Sequence, residues 1–385
     1  MKPAPVPEPP EAPTQAAAGP RLAALDAFRG ATMALMVLVN NPGDGAHTYA
    51  PLLHAEWHGW TVTDVVFPSF IWIVGVAIML AFARRLAAGA PRGMLFLQAL
   101  RRGAILYGLG LAVYAFPHFN PATFRVLGVL QRIATCYVAA AAIYLTCRVR
   151  GQLVWLAGLL GVYWLIMMLA PVPGYGAGRL DVEGNFAHYI DSLVLGRHNY
   201  APTRTWDPEG IVSTLPAIAT AIFGLLAGRV VTARRVLTER TTWLFLIGNL
   251  LIACGLICDA WLPINKKLWT TSFALFMAGL DFVVLAIFVW CADGLGRRKF
   301  FKPAIVMGMN AITVYMVSEL LDSTLNAVRW GTGTGSVSLR VWLYRTLFAP
   351  LAAPRNASLL YALAYTLLMY GVAWAMYRRK WFVRV

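Results

Sequence analysis

Runs of roughly 20 predominantly apolar residues recur along this chain, each long enough to cross about 30 Å of hydrocarbon at about 1.5 Å per helical residue. They fall near residues 23–41, 61–83, 94–116, 124–146, 152–171, 209–229, 241–262, 268–292, 303–324 and 357–377. The pattern predicts an all-α, polytopic membrane bundle of about ten spans. The stretch 338–353 is mildly apolar but carries Arg340 and Arg345, so an interfacial or re-entrant segment is expected there. Residues 1–20 hold seven of the 22 prolines and no apolar core, which reads as a disordered Pro/Ala-rich tail ahead of a single transmembrane domain at 21–385. Loops 42–60 and 172–208 are the polar segments in which a soluble substrate would be met. No internal repeat is evident, which weakens the case for a transporter built from inverted halves.

Composition agrees with lipid as the solvent. Of 385 residues, 59% are apolar and 13% charged, yet 33 basic side chains against 17 acidic ones leave a net charge of +16. The basic residues come in short clusters between apolar runs, not along one polar face, and this excludes nucleic acid as a partner. With ten spans and both termini on one side, 22 of the 33 basic residues fall on that side. That side is therefore expected to be cytoplasmic, in an inner membrane if the source is bacterial. The five cysteines lie in apolar runs or at their ends and need no disulfide.

A charge near the bilayer centre costs about 2.5–3.5 kcal/mol even on the lenient insertion scale, so ionisable residues inside spans are functional candidates. Arg132 lies about 12 Å below the outer surface by helical rise. Asp64, Glu319 and Asn40 fall in the same outer half, and Asp281 alone sits near the midplane. His54, in the following loop, is the strongest candidate for chemistry, because a neutral imidazole can act as nucleophile or base; the alternative is an interfacial histidine without chemistry. His54 and His58 with Glu56 between them evoke a zinc motif, but Ala55 occupies the glutamate place and no third ligand accompanies them, so no metal is expected. Asp64 and Glu319 either orient an imidazole or neutralise Arg132 structurally. Gln131 and Arg132 either bind a phosphate or carboxylate, or belong to that same structural pair. Asp207-Pro208-Glu209-Gly210 reads first as a helix start with Asp207 as N-cap. Asp26 and Arg29 are spaced for an ion pair, and Cys254 and Cys258 for packing. The mixture of His188, Tyr189, Asp191, Arg197, His198, Tyr200, Arg204 and Trp206 could stack on a sugar or could simply be a polar loop.

Several ordered motifs carry a resemblance. LDAFRG (25–30), VNNPG (39–43), HAEWHGWTVTDVVFPSFIWIVG (54–75), GVLQRIATCY (128–137), HYIDSLVLG (188–196), WDPEGIVSTLPAI (206–218), PINKKLWTTSF (263–273) and GMNAITVYMVSELL (308–321) resemble the heparan-α-glucosaminide N-acetyltransferase family and its bacterial relatives. The resemblance implies an enzyme that takes an acetyl group from cytosolic acetyl-CoA and delivers it to the amino group of a terminal glucosamine across the membrane. It places the family's active histidine at His54 and an active-site asparagine at Asn40, with Asp64 completing the catalytic candidates. Arg132, Gln131, Arg84, Arg101 and Arg102 are the candidate coenzyme contacts, although positive-inside topology alone would put arginines at the cytoplasmic face. Glu319, Trp206, Asp207 and Lys266 are the candidate acceptor contacts. The family's lysosomal member has a luminal domain and one further span ahead of the LDAFRG element, and its loop between the asparagine and the histidine is shorter. The expected acceptor is thus an extracytoplasmic amino sugar or glycan terminus, not a long heparan chain. Asn40 could then donate to the developing oxyanion. The rival class is a secondary transporter of sugars or amino sugars, which Asp281 and Arg132 would also suit. A second copy of the chain is the remaining candidate partner.

Overall fold

The structure, a computed structural model, describes residues 22–330 and 336–383; the proline-rich first twenty residues lie outside it. Its described residues are all-α apart from one pair of two-residue strands, and it is polytopic. The helices are α1 (Ala23–Asn40), α2 (Val62–Ala87), α3 (Arg92–Ala115), α4 (Val129–Thr146), α5 (Val149–Leu169), α6 (Phe186–Leu195), α7 (Thr214–Thr232), α8 (Leu237–Asp259), α9 (Thr271–Phe288), α10 (Lys302–Met309), α11 (Ala311–Ala327), α12 (Leu339–Leu343) and α13 (Pro354–Arg378). Strands β1 (Arg329–Trp330) and β2 (Val337–Ser338) pair antiparallel.

Among the described residues, eight helices are long and apolar enough to cross a membrane. The pair α10 and α11, bent by 78° at Asn310, supplies a ninth span if it counts as one. Helix α3 stands where the third span was expected; its 24 residues suffice in length, but Arg92, Arg101 and Arg102 reduce its apolarity. The connections 88–91, 147–148, 233–236 and 295–301 are gathered at one end, here the basic end, and 41–61, 116–128, 170–213 and 260–270 at the other, the loop end. The segment 338–353 is a succession of short helical turns and not a span.

Helices α2, α7 and α9 bury 67% of their spans, whereas α8 buries 22%, so the former are the centre of the bundle and the latter its rim. In lipid no hydrophobic drive holds helices together, and close backbone approach at small residues takes its place. At the α2–α7 crossing a Cβ on Gly75 would sit 2.0 Å from the Ala221 carbonyl oxygen, and one on Gly224 would sit 2.0 Å from that of Trp72. Gly30 and Gly308 do the same for α1 against α10. Between α2 and α9 Asp281 accepts a hydrogen bond from Ser69 Oγ at 2.5 Å, a polar contact deep in the bundle.

The start of α7 corrects one expectation. The helix begins at Thr214, with Ser213 before it, and Asp207 is no N-cap. Residues 207–213 form a turn whose carboxylates are claimed by an arginine from another connection, a tertiary partner that local sequence cannot show.

Candidate active site

The loop leading to His54 is anchored before it reaches the site. Asp44 accepts from Ala46 N at 3.0 Å and the amide of Gly43 donates to the Ser358 carbonyl of α13. At the other end, Thr61 is the N-cap of α2 and Asp64 its third residue, so the Asp64 carboxylate sits where the helix dipole and the free first-turn amides favour an anion. Asp64 is 1% exposed. Its Oδ2 accepts from the amides of Ala55 and Thr61, both at 3.0 Å, and its Oδ1 lies 2.6 Å from His54 Nδ1. A carboxylate surrounded by donors has no proton to give, so Nδ1 is the donor and Nε2 carries the lone pair. The His54 side chain is half exposed, which leaves Nε2 approachable.

Lys266 arrives from the connection between α8 and α9. Gly59 N donates to Ile264 O at 2.7 Å, which ties this connection to the His54 loop, and within the connection the Asn265 side chain accepts from Leu268 N at 2.9 Å. Lys266 Nζ then stands 3.1 Å from His54 Nδ1, 3.5 Å from Nε2 and 3.4 Å from Asp64 Oδ1. Burial pushes the Lys266 ammonium below the usual lysine range, and the Asp64 carboxylate pulls the other way. Its neighbour Lys267 turns aside to the Glu56 carbonyl and the face of Trp57.

A second cluster lies beside the first. Arg125, between α3 and α4, donates from Nε and Nη2 to Asp207 at 2.8 and 2.6 Å, from Nη2 also to Glu209, and from Nη1 to Tyr114 Oη at 3.1 Å. Glu209 is within electrostatic reach of Lys266, which joins the two clusters. Below the turn, Asp191 of α6 accepts from Ile211 N at 2.9 Å, and burial pushes its carboxyl up to about 6. Gly210 is required there, because a Cβ would meet the Asp191 carboxylate at 2.0 Å.

The other expected residues are distributed unequally. Asn40 closes α1 and its side chain lies near Glu319 of α11. Arg132, 2% exposed, pairs with neither Asp64 nor Glu319: it donates to the Gly210 carbonyl and to Ser213 Oγ and lies over the Trp269 ring at 5.2 Å. Gln131 is packed against Gly110 of α3. Trp206 is buried, stacked on His188 at 4.3 Å with Trp57 edge-on to both, so no face of the kind expected for a sugar remains open on it. Burial pushes the His188 imidazole down to about 4. Residues 54–58 are not helical, so His54 and His58 do not share a helical face; the nearest partner of His58 is the Asn265 side chain. Asp26 and Arg29 make the expected ion pair at 2.6 Å.

A cavity of about 450 Å³ enters the bundle from the basic end between α1, α2, α3, α4, α10 and α11. Arg84 and Arg102 line it, as does the Asp26–Arg29 ion pair in the first half of α1, and its remaining walls are apolar, with Met33, Ile73 and Ile133 among them. It reaches Met36, Phe70, Leu130 and Tyr315 in the loop-end half. Along α1 that depth, from Leu22 to Met36, is about 21 Å, and from Phe70 to Asp64 on α2 about 9 Å remain. Arg101, Gln131 and Arg132 do not line it: Gln131 is packed on α3, Arg132 is turned to the 207–213 turn and Trp269, and Arg101 faces outward.

Arg125 escaped the sequence reading because it stands in a connection, where a lone arginine carries no distinctive pattern. Its two carboxylates lie more than 80 residues away in the chain.

A sequence model of the heparan-alpha-glucosaminide N-acetyltransferase catalytic region matches residues 21–255. The chain is 28% identical to the Homo sapiens heparan-alpha-glucosaminide N-acetyltransferase and 29% identical to that of Mus musculus, over 79% and 80% of its own length. It spans about half the length of the curated relatives it matches, 53% and 55%. With the matched region covering more than half of it, from the start of α1 to within α8, the chain belongs to the heparan-alpha-glucosaminide N-acetyltransferase family.

Proposed function

We propose that this chain is a transmembrane acetyltransferase that takes acetyl-CoA at its basic, cytosolic end and transfers the acetyl group to the amino group of an extracytoplasmic amino sugar or glycan terminus. The observation that carries the reading is the alignment of the deep cavity with the His54–Asp64–Lys266 cluster along α1 and α2. Coenzyme A has two chemical parts. Its polyanionic nucleotide suits a basic end lined by Arg84 and Arg102, and its uncharged arm suits a mostly apolar passage that water leaves readily. Such a passage brings the thioester toward the loop end, where the acceptor amine arrives.

The chemistry needs an uncharged amine and a place for its proton. Asp64 fixes the imidazole through Nδ1, so Nε2 accepts the proton as the amine attacks the acetyl carbon, and returns it to the departing thiolate. An order of events in which Nε2 first carries the acetyl group uses the same nitrogen. Glu319 and Asn40 stand ready as polar contacts for the acceptor. No resident metal enters this scheme.

The test uses the full chain in proteoliposomes with radiolabelled acetyl-CoA on one side and glucosamine on the other. Wild type yields N-acetylglucosamine, and His54→Ala yields none while still binding coenzyme A. Glucosamine that crosses unacetylated would refute the proposal and favour a transporter.

A further inference from the structure

On the reading above, negative charge develops on the acetyl oxygen as the carbonyl carbon becomes tetrahedral, and a donor must meet it within hydrogen-bond distance. Asn40, at the end of α1 beside Glu319, is one candidate donor. Beside Nε2 stands a different group: Lys266 Nζ, 3.5 Å from that nitrogen. An acyl carbon in contact with Nε2, or with an amine hydrogen-bonded to it, brings its oxygen within reach of Nζ.

We propose that Lys266 is a catalytic residue of this acetyl transfer, its ammonium donating to the acetyl oxygen as that oxygen becomes an oxyanion. The geometry of the connection supports the assignment. An ammonium has three donors, and the contact with Asp64 Oδ1, at 3.4 Å, leaves others for a ligand. The side chain is mostly buried, so little water competes, and a charge-assisted bond is stronger there. Lys266 is held by a rigid support. Trp269 takes a left-handed backbone (φ 51), an uncommon state for an aromatic residue, and its amide donates to the Lys266 carbonyl. Thr270 N donates to Asn265 O at 3.1 Å, which closes the turn around Lys266. Lys267, adjacent in sequence, is aimed at Glu56 and Trp57 instead, so one of two neighbouring lysines is selected by the turn.

In the step itself, the amine nitrogen forms the new C–N bond and the carbonyl π pair moves onto oxygen, where Lys266 holds it. The pair returns as the C–S bond breaks, the thiolate leaves, and the amine's proton passes through Nε2 to sulfur. The sum is amine plus thioester to amide plus thiol, with no other reactant.

Two measurements on the full chain in lipid test this. In turnover with acetyl-CoA and glucosamine, Lys266→Met should lower kcat by about 100-fold or more. The KM values should stay within about threefold, and Lys266→Arg should recover part of kcat. In binding, carboxymethyl-CoA, which carries anionic oxygens one bond beyond the place of the acetyl oxygen and within reach of the same ammonium, should lose about tenfold in affinity in Lys266→Met, with free coenzyme A unchanged. A kcat within threefold of wild type, a loss confined to the glucosamine KM, or unaltered carboxymethyl-CoA binding would each overturn the assignment. A wild-type protein that transfers nothing yet shows the lysine-dependent preference for carboxymethyl-CoA would refute the acetyltransferase reading while the anion site at Lys266 stands.

Discussion

Arg125→Met removes the cation that is hydrogen-bonded to two buried carboxylates. The Asp207 side chain is fully buried, that of Glu209 is 9% exposed and that of Arg125 is 13% exposed. Three charge-assisted bonds vanish, together with the bond to Tyr114 Oη and the stacking of the guanidinium over the Tyr114 and Tyr200 rings. Breaking a buried pair from one side costs about 3–5 kcal/mol, because the other side is left charged and dry. At about 2 °C per kcal/mol for a chain this long, the thermal midpoint should fall by about 6–10 °C. Cys136 is buried in α4, so the rise in thiol-reactive fluorescence above that of the four partly buried cysteines reports the loss of packing. Adding Asp207→Asn and Glu209→Gln to the variant removes the stranded charges and should restore a large part of the midpoint, since an unmade partner costs more than an absent pair. A single variant within 1 °C of wild type, or a triple variant no better than the single one, would refute the view that this cluster is a charge-balanced tie between two connections.

Two further outcomes follow from the site. Arg84→Ala and Arg102→Ala should each raise the KM for acetyl-CoA by about tenfold with kcat little changed, and Arg101→Ala should leave it within about twofold, because only the first two line the cavity mouth; steady-state kinetics at low salt decide this. Asp191 is pushed up to about 6 by burial, so it holds its proton longer folded than unfolded; the stability it contributes is complete below about pH 4 and is lost as pH rises through 6. Asp191→Asn keeps the uncharged form, and its thermal midpoint relative to wild type should climb between pH 4 and 7, by up to about 3 kcal/mol of stability. A difference that is flat with pH would show that Asp191 is charged throughout. His188, pushed down to about 4, acts with the opposite sign but is common to both proteins and cancels.

Most of the helices were legible because lipid makes the backbone satisfy itself within each apolar run, so length and apolarity alone mark a span. The bend at Asn310 was not legible, since α10 and α11 together form one unbroken apolar run. The candidate site was legible unevenly. His54 and Asp64 stood out as polar residues at the edge of a span, and their pairing is partly local, through the first turn of α2. Arg132 stood out for the same reason, yet it ties α4 to the 207–213 turn and to Trp269. The energetic cost of a buried polar group means that it must have a partner without saying which one, and a ligand is only one of the choices.

The sequence by itself determined that the chain is an all-α membrane protein, which end of the bundle is basic, and which family it resembles, because these depend on composition and on order along the chain. Only the tertiary structure decided that Lys266 and not Lys267 meets His54, that Arg125 binds Asp207 and Glu209, and that Arg84 and Arg102 but not Arg101 open onto the cavity. Each of these depends on a side chain's direction at a turn or around a helix, and direction is fixed by contacts between segments that lie far apart in sequence.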